Sequence, residues 1–117
     1  MCKPVRGGIY FVNLPHKENS SIQSGFRPCL CISNSKNCQH STVQNVLVCT
    51  SRVHKKRDLP VHIYIDNPSL PKASIVMCEQ IQMVDTSDLE NARFLGVLTE
   101  DEMKRVEKGL KIQLAIE

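Results

Sequence analysis

Two side chains of this chain, Arg27 and Thr50, are of the kinds that grip a phosphate, and each adjoins a polar loop. A guanidinium presents a planar fork to two phosphate oxygens and stays cationic, so it can stabilise charge building up on a pentacoordinate phosphorus. A threonine hydroxyl beside it donates to, or positions, a further oxygen. Just after Thr50, the run Arg52-Val53-His54-Lys55-Lys56-Arg57 packs four of the fifteen basic residues into six positions. That density supplies sequence-independent attraction to a nucleic-acid backbone. His16, His54 and His62 are candidate acids or bases near neutral pH, whereas His40 has no constellation around it. Taken singly, each residue has an ordinary explanation: Arg27 as a surface ion pair, Thr50 as a strand end, the basic run as a solvated loop, the histidines as surface residues.

Whether these residues meet depends on the elements that carry them. Residues 9–14, β-formers behind Gly7-Gly8, predict a first strand that Pro15 ends. Residues 16–25 have the composition of a solvated loop. Pro28 holds Arg27 extended at the mouth of a second strand over residues 29–33, whose unbroken apolar character implies burial on both faces. A polar connection of nine residues, 34–42, leads to a third strand over residues 43–50. If these two strands pair antiparallel, the start of one lies beside the end of the other. Arg27 and Thr50 then share a rim that loop 16–25 enters and basic loop 52–58 leaves.

Further on, Val61, Ile63 and Ile65 alternate with His62 and Tyr64, which predicts a half-buried strand with His62 facing outward near the same rim. Asn67-Pro68-Ser69-Leu70-Pro71 is a turn, and residues 74–83 form another long strand or strand pair. Thr99 followed by Glu102 is a capping box, and Met103, Val106, Leu110 and Leu114 make a core-packing stripe on a terminal helix. Gly109 costs that helix roughly 1 kcal/mol relative to Ala. Five or six short strands and one helix predict a mainly β fold with a C-terminal α-helix, built as a small, strongly bent antiparallel sheet or barrel.

Composition bounds the rest. The 117 residues, 41% hydrophobic and 23% charged, fit one compact domain over residues 1–117. No apolar run reaches the length of a membrane span and the start lacks a secretory signal, so a soluble, cytoplasmic protein with no membrane partner is expected. The net charge of +3 conceals an asymmetry: residues 1–60 hold nine Lys and Arg against Glu18 and Asp58, a balance of +7, while residues 61–117 hold six against ten acids, a balance of −4. The basic half suggests a polyanion-binding face. Of six cysteines, Cys29, Cys31, Cys49 and Cys78 lie in apolar runs and read as buried free thiols, leaving Cys2 and Cys38 outside them. No metal site is expected, since no C-x-x-C pair is present.

An ordered set of segments resembles one family. Arg6-Gly7-Gly8-Ile9-Tyr10, Gln23-Ser24-Gly25-Phe26-Arg27-Pro28, Thr50-Ser51-Arg52, Leu59-Pro60-Val61-His62-Ile63, Glu79-Gln80-Ile81 and Phe94-Leu95-Gly96-Val97-Leu98-Thr99 are similar to the successive landmarks of the MazF/PemK (Kid) toxins. The resemblance implies a small SH3-like barrel of the CcdB/Kid/MazF type, a homodimer, and a cofactor-free, metal-independent endoribonuclease cutting single-stranded RNA at a short sequence through the ribose 2′-hydroxyl. It also implies a cognate antitoxin with an acidic, disordered tail. It places the catalytic pair on Arg27 and Thr50, and RNA contacts on Ser21, Gln23, Ser51, Arg52, His62, Glu79 and Gln80, to which the basic loop adds Lys55 and Lys56.

The chain departs from the family pattern at Ile22, where many members carry an acid, and at Ser24, where a glycine is frequent. His16 and Glu18 are the titratable groups left in that loop. Two other readings stay open: a CcdB-type barrel that poisons gyrase and makes no use of the Arg27–Thr50 rim, and a non-catalytic RNA-binding barrel that only docks phosphates.

Overall fold

The computed structural model describes residues 2–53 and 59–117. Its elements are β1 (Gly8–Leu14), β2 (Gly25–Cys31), α1 (Ser35–His40), β3 (Val43–Thr50), β4 (His62–Ile65), β5 (Ser74–Asp85), α2 (Thr86–Glu90), β6 (Arg93–Val97) and α3 (Glu100–Leu114). The six strands form one sheet in the order β4-β5-β3-β2-β1-β6, and every neighbouring pair is antiparallel. This is the mainly β architecture with a C-terminal helix that the pattern of residues implies. No helix among the described residues is long and apolar enough to cross a membrane.

Both faces of the sheet are apolar, which is why its central strands read as continuous hydrophobic runs rather than alternating ones. Tyr10, Val12, Cys29, Cys31, Val46, Val48, Ile75 and Met77 build one core, closed by Cys38 of α1 and Leu89 of α2. Ile9, Leu30, Leu47, Cys49, Val76 and Cys78 build the other, against Val106 of α3. Between Leu47 and Cys49, two steps along β3 correspond to five along β5, from Ile81 to Val76. An irregularity of that size bends the strand.

All six cysteines are free thiols, and five of them are buried. Burial pushes the Cys29 and Cys78 thiols up to about 12, so they stay protonated and act as small hydrophobes. Cys38, expected outside the apolar strands, is also buried: α1 carries it inward, where its Sγ lies 3.9 Å from Cys31 Sγ.

Several boundaries differ from expectation. β2 begins at Gly25 and ends at Cys31, so Arg27 sits inside the strand and not at its mouth. Pro28 is tolerated there because the β3 register starts only at Cys29, leaving that edge of residues 25–28 without a ladder in which an N–H would be needed. The polar connection contains α1, whose N-cap Asn34 accepts from the Asn37 N–H at 2.9 Å. α2, a single short helix after β5, carries no apolar periodicity that would announce it.

At α3 the capping box forms as expected, with Thr99 N–H donating to Glu102 at 2.8 Å and Glu102 N–H to Thr99 Oγ1 at 3.2 Å. Met103, Val106 and Leu110 pack on the second core, but Leu114 is half exposed beyond the end of the sheet. Gly109 has a packing reason: a Cβ there would stand 2.8 Å from Cys78 Sγ and 3.0 Å from Ile63 Cδ1, so its absence lets the helix lie close on β4 and β5.

Candidate active site

β2 and β3 pair antiparallel with Cys29 opposite Val48, and Arg27 and Thr50 lie two residues beyond that last pair on their respective strands. Strand alternation puts both on the face that carries Cys29, Cys31, Val46 and Val48. They line one cleft of about 270 Å3 together with Phe26, Ser51, Lys72 and Ser74.

Each of the two is already oriented. Arg27 Nε donates to the Ser24 carbonyl at 3.1 Å, which fixes the guanidinium plane and leaves its two terminal nitrogens for a ligand. Thr50 is only 4% exposed, and its Oγ1 accepts the Arg52 N–H at 3.2 Å. With that lone pair used, the hydroxyl proton remains to be given. An arginine fork and a hydroxyl donor across a small cleft form an anion-binding arrangement. Lys72 adds a second cation. It stands in the turn before β5, inside the chain's acidic half, and the charge balance of that half hides it; its place beside Pro71 at the end of a turn was the one signal available.

The remaining expected residues fall into two other groups. Loop 16–24 lies across β5 through its backbone: Gln23 N–H donates to Gln80 Oε1 at 3.3 Å, Gln80 Nε2 to the Ser21 carbonyl at 3.4 Å, and Gln82 Nε2 to the Gln23 carbonyl at 2.9 Å. Ser21, Gln23 and Gln80 are thereby brought together, and Gln80 serves first as an anchor for the loop. Gln82, which the sequence did not single out, is its companion one pleat along. The successive carbonyls of Gln23, which accepts from Gln82, and Ser24, which accepts from Arg27, link this junction to the cleft.

The second group is His62 with Glu79, and here an expectation fails. His62 does not face outward: its side chain is 2% exposed and Nε2 lies 2.6 Å from Glu79 Oε2. β4 is a four-residue edge strand whose pattern is buried at both ends instead of alternating, and a carboxylate from the neighbouring strand satisfies the ring, which makes its burial tolerable. His62 borders a different cleft, between β4 and α3, with Arg105 and Lys108. Arg52 is exposed and meets the site through its backbone N–H. His16 and Glu18 are exposed. Lys55, Lys56 and His54 lie outside the described residues.

The fold and the cleft together define a small antiparallel β domain equipped to hold an anion between Arg27 and Thr50. Comparison with known proteins identifies its kind. Residues 5–114 match the model of the PemK-like, MazF-like toxins of type II toxin-antitoxin systems, and the chain belongs to that family. It is 30% identical over 113 residues to the endoribonuclease MazF of Staphylococcus saprophyticus, spanning 95% of this chain and 91% of that protein. Among solved structures, MazF from Deinococcus radiodurans superposes with a TM-score of 0.81 at 19% identity, covering 98% of this chain and 99% of the other. An endoribonuclease in complex with its cognate antitoxin, from a mycobacterial species, gives 0.79 at 23% identity, with 97% of both chains covered. These structural likenesses carry the SH3-like barrel fold.

Proposed function

We propose that this chain is a metal-independent endoribonuclease that cuts single-stranded RNA in the cleft between Arg27 and Thr50. The observation that carries the reading is that these two side chains, one from each of two neighbouring strands, line one cleft. Family membership and the endoribonuclease relative support the same chemistry.

In that cleft the scissile phosphate sits between the guanidinium and the threonine hydroxyl. The ribose 2′-oxygen attacks phosphorus as its proton leaves, a phosphorane forms, and the P–O5′ bond breaks. The products are a 2′,3′-cyclic phosphate and a 5′-hydroxyl, the leaving oxygen taking up a proton. Arg27 neutralises the charge that grows on the non-bridging oxygens. Thr50 holds the phosphate in line. Ser51 and Lys72 border the strand on either side, and the docked loop offers Ser21 and Gln23 to flanking nucleotides.

The reading includes a homodimer and a cognate antitoxin whose acidic, disordered tail competes for the basic surface. The +7 balance of residues 1–60 and the solved endoribonuclease–antitoxin complex support that partner.

The test is an RNA whose cut has been mapped in EDTA, remade with one 2′-deoxynucleotide on the 5′ side of the cut. The expected result is that cleavage disappears at that position while binding persists. Cleavage of the deoxy-substituted strand would contradict the mechanism. Retention of the unmodified RNA without any cut would favour the phosphate-docking barrel, and neither retention nor cleavage the gyrase-type poison.

A further inference from the structure

All three phenylalanines stand on the outside of the molecule, and two of them stack on each other. Phe26 is 63% exposed and Phe11 37%. Their ring centroids are 5.5 Å apart with planes 19° from parallel, a stack set by the β1–β2 ladder, in which Phe11 faces Pro28 and Asn13 faces Phe26. The pair is therefore rigid, flat and in contact with water, a combination that marks a surface kept for a ligand.

The position of the pair indicates which ligand. Phe26 is a wall of the Arg27–Thr50 cleft. Both rings are also walls of a second recess of about 210 Å3, which continues over Asn13, Asp88 and Asn91. The side-chain amides of Asn13 and Asn91 make no hydrogen bond with another described residue, and an amide presents a donor and an acceptor in one plane, as the edge of a base requires. One aromatic face thus separates a place for a phosphodiester from a recess with a polar edge. A group that is flat, polar at its rim and covalently next to a phosphate is an unpaired nucleobase.

We propose that Phe26, backed by Phe11, is the stacking platform for a nucleobase adjoining the scissile phosphate, and that the recess over Asn13 and Asn91 receives the edge of that base. The inference rests on the ribonuclease reading, because it takes the phosphodiester to fill the neighbouring cleft. It adds a specificity-determining subsite on the outer face of the β1–β2 ladder, distinct from the contacts by which Gln80 and Gln82 anchor the connecting loop.

Phe26→Leu keeps an apolar side chain and removes the π face; Phe26→Trp keeps the ring. On a mapped RNA, Phe26→Leu should lower kcat/KM about 5- to 150-fold, the range expected for one lost base stack. It should also flatten the base preference at one position beside the cut in sequenced product ends, while Phe26→Trp retains both. A 2′-deoxy-blocked RNA with 2-aminopurine at that position should lose fluorescence on the wild-type protein. Unchanged kcat/KM and end sequences in Phe26→Leu, with the wild type still cutting, would overturn the platform and leave the ribonuclease reading standing. So would an unquenched probe bound to the wild type. Should Phe26→Leu instead lose self-association in sedimentation while keeping its end sequences, the pair is a protein contact and the platform is wrong. A wild type that cuts no RNA removes the ribonuclease reading and the platform with it.

Discussion

Arg27 and Thr50 each enter the site with one hydrogen bond already made inside the chain, and that contact orients what remains. The Ser24 carbonyl takes Arg27 Nε–H, and Thr50 Oγ1 takes the Arg52 N–H, so two terminal guanidinium nitrogens and one hydroxyl proton are left for a ligand, which the proposed mechanism takes to be the scissile phosphate. The methyl group of Thr50 has no part in this. Thr50→Ser is accordingly expected to keep most of the cleavage rate, whereas Thr50→Ala should lower kcat by about 10²–10³ with little change in KM, the usual cost of removing one donor to transition-state charge. Full activity in a folded Thr50→Ala protein would remove the hydroxyl from the mechanism. At this scale the sequence told most where residue type decides role. It told least where role depends on a neighbour: His62 reads as an outward strand residue until Glu79 is seen 2.6 Å from its ring, and Lys72 reads as one cation in an acidic half until the turn carries it to the cleft.

Among the elements, β1, β3, β5 and α3 were legible because their signals are local: β-branched runs, turn residues at both ends, a capping box. The start of β2 was not, because Gly-Phe-Arg-Pro has no strand signature, and only its one-sided pairing to β1 explains why a proline can stand there. α1 was hidden for the opposite reason, since it buries one residue, Cys38, and is held by its Asn34 cap. The cap of α3 also carries a measurable electrostatic signature. Partial burial would raise the Glu102 carboxyl, but hydrogen bonds from Thr99 and Asn67, with Arg105 nearby, outweigh it and hold the group below its ordinary value of 4.5. A depressed folded-state value means stabilisation that is present above the unfolded value and is lost as pH falls through the folded one. Glu102→Gln should therefore melt below wild type at pH 7, by about 0.5–1 kcal/mol, the lower range of a cap effect, and the two melting temperatures should converge below pH 4.5. A difference independent of pH would show that packing, and not the charge, holds the cap.

For the molecule as a whole, the division of charge follows the division of labour. The basic first half supplies β1, β2 and β3, and with them Arg27, Thr50 and the docked loop; the acidic second half supplies β4, β5, β6 and α3, whose first turn holds Glu100, Asp101 and Glu102 where a helix N-terminus favours negative charge. Lys72, with Pro71 and Ser74 beside it, is the second half's contribution to the cleft. The antiparallel pairing of β2 and β3 turns two residues 23 positions apart in the chain into one site, and the central claim is that this site cuts RNA. It is tested most directly by incubating purified wild-type and Arg27→Ala proteins, matched in circular dichroism, with the same long single-stranded RNA in EDTA. The expected result is site-specific cutting by the wild type and a loss of at least about 10²-fold in Arg27→Ala. An intact RNA with the wild type, or a folded Arg27→Ala protein that cuts at the wild-type rate, would contradict it.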